Sequence, residues 1–95
     1  MTKEYILDFL KTHKKEMQEN YALKKIGLFG SYANGTAHEK SDIDIAIISY
    51  KKDFFLRDDL REYLEQNFKI SVDVGYIDSF REFYKQRIEK EIIYV

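Results

Sequence analysis

The sequence lacks cysteine, proline and tryptophan, and it has only four glycines in 95 residues. Without cysteine, the protein can form neither disulfides nor thiolate metal sites, and it has no cysteine nucleophile. That composition fits a reducing compartment such as the cytoplasm. No proline marks a linker and the chain is short, so we expect a single domain over residues 1–95.

Long apolar runs and an excess of charge of one sign are missing as well. The N-terminal segment interrupts its apolar residues with charges every few positions, unlike a signal peptide. No run approaches the roughly 18 apolar residues that a membrane span needs. Lys+Arg 16 and Asp+Glu 17 give a net charge of -1, which offers no broad cationic surface to DNA or RNA. We therefore expect a cytoplasmic protein that neither enters a membrane nor binds nucleic acid alone.

The spacing of apolar residues predicts three helices around three short strands. The first helix runs from an N-cap at Thr2 to about Asn20, and the third opens with the capping box Ser79–Glu82. The predicted strands cover residues 25–29, 43–48 and 70–77, and the apolar residues of the second helix lie within 56–68. The segment 92–95 could end the last helix or add a strand. This order predicts an α+β fold in two layers, with a small mixed β-sheet and helices packed on one face.

Two carboxylates stand in the second predicted strand, among isoleucines. Residues i and i+2 of a strand share a face about 6.5–7 Å apart, so Asp42 and Asp44 point together while the isoleucines point into the core. Two like charges this close repel, and ionised carboxylates near a core are costly. A divalent cation would compensate, and oxygen ligands without nearby histidine or cysteine favour Mg²⁺ or Mn²⁺.

A third carboxylate, Asp73, lies at the matching place in the next predicted strand. If the two strands are neighbours, Asp73 lies beside the pair formed by Asp42 and Asp44. Three carboxylates on one sheet face can hold two metal ions about 3.5–4 Å apart, an arrangement that serves phosphoryl transfer.

A Gly-Ser turn precedes these carboxylates. The first predicted strand ends at Gly30, and Ser31 opens what reads as a short helical turn. Exposed backbone N–H groups and the serine hydroxyl would form an anion site there. Gly30 would let a phosphate approach the backbone, and Gly35 would let the turn close. We expect a nucleoside triphosphate with its Mg²⁺ to lie between this turn and the aspartate pair.

Gly30-Ser31, ten residues, then Asp42-Ile43-Asp44 resembles the G-S-x10-D-x-D signature of the polymerase-β-like nucleotidyltransferases. The short chain, the later Asp73 and the closing RIEKEIIYV resemble the minimal nucleotidyltransferases. The resemblance implies a polymerase-β-like palm fold in which Asp42 and Asp44 bind two Mg²⁺ ions. It also implies that Asp73 binds the catalytic metal and helps to deprotonate the acceptor hydroxyl, and that Gly30 and Ser31 hold the triphosphate of ATP.

Proteins of this kind are commonly antitoxins, so the resemblance also implies a partner. That partner is a HEPN-domain ribonuclease toxin, and the antitoxin transfers AMP from ATP to one of its tyrosines. The chain departs from the family at Asn34, where many relatives have a basic residue; Lys40 or a side chain of the partner could substitute.

Two other functions remain open. One is nucleotidyl transfer to a small-molecule hydroxyl, as on an aminoglycoside, although no acceptor-binding domain is visible. The other is a degenerate subunit that neutralises its toxin by binding alone; Asn34 keeps this hypothesis open, whereas the intact aspartates favour catalysis. Among the aromatic residues, Tyr32 could stack on a base or cap the turn. Phe83 and Tyr84, at helical spacing, are expected in the core or facing a partner.

Overall fold

Nine helices and strands follow one another along residues 1–95, all of which the computed structural model describes. The elements are α1 Lys3–Thr12, α2 Lys14–Tyr21, β1 Leu23–Phe29, α3 Ser31–Asn34, β2 Ile43–Ser49, α4 Phe54–Phe68, β3 Val72–Tyr76, α5 Glu82–Glu91 and β4 Ile93–Tyr94. A short 3-10 turn, Ile77–Ser79, separates β3 from α5. No helix of the chain is both long and apolar enough to span a membrane.

The four strands form one mixed sheet in the order β3-β2-β1-β4. Strand β1 runs antiparallel to β2 and to β4, whereas β2 and β3 run parallel. Parallel neighbours need a crossover connection, which α4 supplies. The segment 92–95, which the sequence left open, contributes β4, whose Ile93 and Tyr94 pair with Leu28 and Gly27. The predicted α+β fold with a small mixed sheet is confirmed.

The main core lies on one face of the sheet. Ile43, Ile45 and Ile47 point into it from β2, as their alternation with the aspartates predicted. Residues of α1, α2 and α4 meet them there, among them Leu10 and Leu64, in a cluster of 17 buried residues. Helices α1, α2 and α4 thus pack on one face of the sheet, and polar side chains lie on the opposite face at one end of the strands. The sequence predicted all helices on one face, and α5 departs from that prediction.

A smaller apolar cluster covers part of that opposite face. Gly27, Ala46 and Gly75 are register partners on β1, β2 and β3, so they form a row of small residues across the sheet. A methyl group at Gly75 would lie 2.7 Å from the Phe80 ring, so the row lets the segment from Phe80 to β4 lie close to the strands. Ile88 of α5 is buried there with Ala46. Helix α5 therefore adds partial cover to the second face.

Two local predictions for the helices differ from the structure. The first helix begins after Thr2, whose hydroxyl accepts a hydrogen bond from the Tyr5 N–H (3.1 Å), but it is divided at His13 into α1 and α2. The predicted capping box is wrong: α5 begins at Glu82 after the N-cap residue Arg81, without a side-chain cap. The Ser79 hydroxyl instead accepts a hydrogen bond from Lys52 Nζ (3.0 Å).

The later start of α5 changes which of its side chains are buried. The chain first makes the 3-10 turn that buries Ile77, and the helix then presents Ile88 to the sheet. Phe83 and Tyr84 are 79% and 58% exposed, so they do not belong to the core. The sequence allowed Phe83 and Tyr84 either in the core or facing a partner, and the structure places them on the surface.

Candidate active site

Asp44 and Asp73 lie side by side on neighbouring strands. They are direct partners in the parallel register of β2 and β3, where strands lie about 4.8 Å apart. On the other side of Asp44, its partner in β1 is Phe29, the last residue of that strand. Both carboxylates therefore project from the face opposite the main core, at the end of the sheet where β1 turns into α3.

The Asp44 carboxyl is half-buried and makes no hydrogen bond or ion pair within the chain. The pKa of Asp44 is raised from its usual 3.8 to about 6, mainly by burial and in addition by the charges of Asp73 and then Asp42. Asp42 stands just before β2 and is exposed. The site thus concentrates negative charge around one carboxyl that has no positive partner of its own.

The donor set suits a hard divalent cation, but the carboxylates do not form a closed cage. No three His, Cys, Asp or Glu side chains converge closely enough to hold a metal ion in this arrangement. Mg²⁺ usually takes only one or two carboxylates from a protein and completes its shell with water and substrate phosphates. Asp44 and Asp73 side by side fit that requirement, and a bound cation would favour the ionised form of Asp44, which burial and then the neighbouring carboxylates disfavour.

Gly30 presses directly against Asp44. Its backbone has φ 74° and ψ -154°, and a Cβ there would lie 3.0 Å from Asp44 Cγ and closer still to Asp44 Oδ2. Only glycine fits this conformation and this contact. The predicted helical turn begins at Ser31 and closes at Gly35, whose N–H donates to the Ser31 carbonyl. The turn between β1 and α3 is therefore held against the acidic pair.

A cleft of about 330 Å³ opens above these residues. Gly30, Asp44 and Asp73 line one side of it, and Tyr84 and Arg87 of α5 line the other. Asn34 at the end of α3 also borders the cleft. The structure thus brings three of the predicted site residues into one space, together with Tyr84 and Arg87, which the sequence did not assign to the site.

Ser31 faces a second, wider groove. This groove of about 520 Å³ is bordered by Ser31, Tyr32 and His38, and by Lys3 at the start of α1. Tyr32 is only 8% exposed and belongs to the main core, which favours packing over base stacking. Gly30 and Ser31 are consecutive, so the turn they form separates the two openings.

Asn34 already has hydrogen-bond partners. Its Oδ1 accepts from the Thr36 N–H (3.1 Å) and from the Thr36 hydroxyl (2.6 Å), which stabilises the turn after α3. Lys40, the suggested substitute for a basic residue there, does not line the acidic cleft. Its backbone N–H donates to Nδ1 of the exposed His38 (3.2 Å) in the following loop.

Sequence reasoning missed the contribution of α5. The sequence assigned none of the basic residues of this helix to the site, yet Tyr84 and Arg87, three positions apart on one helical face, border the cleft. The helical spacing was visible in the sequence. What it could not show is that α5 returns over the acidic end of the sheet.

Known proteins share both the sequence and the fold. The family model for the nucleotidyltransferase domain matches residues 10–95. A protein of Methanocaldococcus jannaschii, described as a candidate protein adenylyltransferase, is 46% identical over 70 residues, which cover 73% of this chain and 81% of the relative. Protein adenylyltransferase MntA of Thermococcus cleftensis is 35% identical over 96 residues, covering 100% of this chain and 97% of the relative.

A solved structure agrees with these relatives. The crystal structure of a toxin–antitoxin complex with AMP-PNP superposes with a TM-score of 0.73 at 28% identity, covering 87% of this chain and 69% of that chain. The family match, the relatives of similar length and this superposition agree with the Gly-Ser turn and the acidic strand pair. The chain belongs to the nucleotidyltransferase family, and within it to the minimal, MntA-like enzymes.

Proposed function

We propose that this nucleotidyltransferase is a Mg²⁺-dependent protein adenylyltransferase and the antitoxin of a toxin–antitoxin pair. It transfers AMP from ATP to a tyrosine of a HEPN-domain ribonuclease in the cytoplasm. Relatives named protein adenylyltransferases support a protein as acceptor, and a similar toxin–antitoxin structure with AMP-PNP supports both partner and nucleotide. The observation that carries the proposal is that Asp44 and Asp73 are register partners on neighbouring strands and that Gly30 packs against Asp44.

Each site residue has a proposed task. Asp42 and Asp44 hold two Mg²⁺ ions, for which Mn²⁺ can substitute, and Asp73 holds the catalytic one. When bound, these ions offset the charge of the carboxylates and of the triphosphate. Gly30 leaves the backbone of the turn open to the triphosphate. Ser31 lines the neighbouring groove, so its proposed hydrogen bond to the triphosphate requires the phosphates to lie at the turn between the two openings.

The reaction replaces one phosphorus–oxygen bond by another. Asp73 is exposed at the cleft, where its carboxylate can accept the proton of a tyrosine hydroxyl from a docked partner. The tyrosine oxygen then bonds to the α-phosphorus of ATP while the bond from that phosphorus to the bridging oxygen breaks, and pyrophosphate leaves. The partner supplies orientation, since holding the hydroxyl in place makes the step effectively intramolecular.

The experiment combines the protein with the product of the neighbouring gene, the expected toxin, and with ATP and Mg²⁺. Intact-mass spectrometry should show additions of AMP-sized mass to the toxin, with little transfer to free tyrosine or to unrelated proteins. Asp73→Asn should still bind the toxin but fail to modify it, because the amide cannot accept the proton. Asp78→Asn is a matched control, since Asp78 lies just beyond β3 in an exposed ion pair with Lys52, outside the cleft.

Toxin ribonuclease activity, measured after the two proteins are separated again, distinguishes covalent transfer from binding. We expect inhibition to survive separation for the wild type and Asp78→Asn, but not for Asp73→Asn. A toxin that regains full activity after treatment with the wild type would mean that neutralisation is by binding alone. The proposal of AMP transfer would then be wrong.

A further inference from the structure

The cleft holds more negative than positive charge. Asp44, Asp73 and Glu91 bring carboxyl groups to its walls, and Arg87 brings the one cationic side chain among the residues that line it. A triphosphate carries several negative charges of its own, and bound Mg²⁺ neutralises only part of the total. A site for ATP in this cleft therefore needs a further cation close to the phosphates.

Arg87 can supply this positive charge, because it has no other partner in the chain. The chain has four arginines, of which Arg57 and Arg61 form ion pairs with neighbouring carboxylates. Arg87 makes no hydrogen bond or ion pair, although Glu91 stands one helical turn further on. An unpaired guanidinium that borders a cleft is a ready anion ligand, since its planar fork matches two phosphate oxygens at once.

The fold fixes where this guanidinium is presented. The next residue, Ile88, is only 2% exposed in the cluster with Ala46 and Ile77, which anchors α5 against the sheet. Arg87 thus stands on the wall opposite Gly30 and Asp44. On the Gly30 side, Asn34 offers no charge, and its Oδ1 is engaged by Thr36.

We propose that Arg87 binds the phosphate chain of ATP across the cleft from Gly30, supplying from α5 the positive charge that Asn34 does not provide. This inference rests on the nucleotide site of the proposed function. It assigns the missing positive charge to Arg87, and not to Lys40 or to a side chain of the partner.

Nucleotide binding by the isolated protein tests this inference without the toxin. Calorimetric titrations with AMP-PNP and with AMP, both in Mg²⁺, should be run on the wild type, Arg87→Gln, Arg87→Lys and the control Arg81→Gln. Arg87→Gln should weaken AMP-PNP binding by about 10- to 100-fold, the scale of a lost charge-assisted pair, and AMP binding by less than about threefold. Arg87→Lys should retain part of the affinity, and Arg81→Gln, at the exposed start of α5, should bind like the wild type.

The outcomes separate this inference from the proposed function. If Arg87→Gln binds AMP-PNP within about twofold of the wild type, or loses AMP equally, Arg87 does not hold the phosphate chain, whether or not transfer to the toxin occurs. If the wild type binds AMP-PNP with the expected dependence on Arg87 but never modifies the toxin, the proposed transfer fails and the role of Arg87 stands. Failure of the wild type to bind AMP-PNP overturns both.

Discussion

Replacing Asp44 by asparagine should stabilise the metal-free protein. The carboxyl accepts no hydrogen bond, and its pKa of about 6 in the folded state compares with a usual 3.8. A difference of about two pKa units corresponds to about 3 kcal/mol. Because Asp44 is only half-buried and solvent screens its charge, we expect about 1–2 kcal/mol to remain. The amide of Asp44→Asn avoids that cost and should raise the melting temperature by about 5–10 °C.

The effect should depend on pH in a definite direction. At pH 3.5 and below the carboxyl is mostly protonated in both the folded and the unfolded state, so its ionisation costs little there. As the pH rises towards 6 the unfolded chain releases this proton first, and the folded state loses stability relative to it. The advantage of Asp44→Asn should therefore be near zero at pH 3.5 and complete above about pH 6.5.

Urea denaturation in EDTA at pH 3.5 and pH 7.5 measures both points. Asp8→Asn, at an exposed position of α1 without an ion pair, is the matched control and should change stability little at either pH. Added Mg²⁺ should then stabilise the wild type more than Asp44→Asn, because binding to the folded state alone raises its stability. A variant that is less stable than the wild type at pH 7.5, or equally shifted at both pH values, would refute the reasoning.

Two further substitutions test the turn beside Asp44. Gly30→Ala should lose about 1–3 kcal/mol, because the new Cβ would meet the Asp44 carboxyl at a φ of 74°; an unchanged urea midpoint would mean that the turn relaxes freely. Asn34→Arg should tighten binding of a non-hydrolysable ATP analogue with Mg²⁺ by about 1.5–3 kcal/mol, as a charge-assisted contact does. The calorimetric control is Asn34→Gln, which also alters the contact with Thr36 but adds no charge. If Asn34→Arg binds the analogue with the same affinity as the wild type, position 34 faces away from the phosphates.

The acidic centre of the site could be predicted because its signals are local. The alternation of aspartates with isoleucines fixed the face of Asp44, and glycine marked the turn at Gly30. Asp73 required one more assumption, that the second and third strands are neighbours. The fifteen-residue helix α4 makes that neighbour relation possible, since it provides the crossover that parallel strands need.

The position of Arg87 could not be predicted, because it depends on a row of small residues from three strands. Gly27, Ala46 and Gly75 become neighbours only through the registers of the sheet, and no sequence window contains them together. The capping box failed for a related reason. Ile77 is buried in a 3-10 turn that includes Ser79, and α5 begins only at Glu82. Tertiary packing thus overrode the local capping motif at Ser79.

The two apolar clusters differ greatly in size, and this gives the cleft walls unequal local stability. The wall with Asp44 and Asp73 belongs to the sheet over a core of 17 buried residues, whereas α5 packs on a cluster of three. Strand β4 adds only two register pairs with β1. Segments with few buried contacts open at a fraction of the global unfolding free energy. We therefore expect α5 to open at a lower free-energy cost than the sheet, so that the wall with Arg87 moves while the carboxylates stay in place.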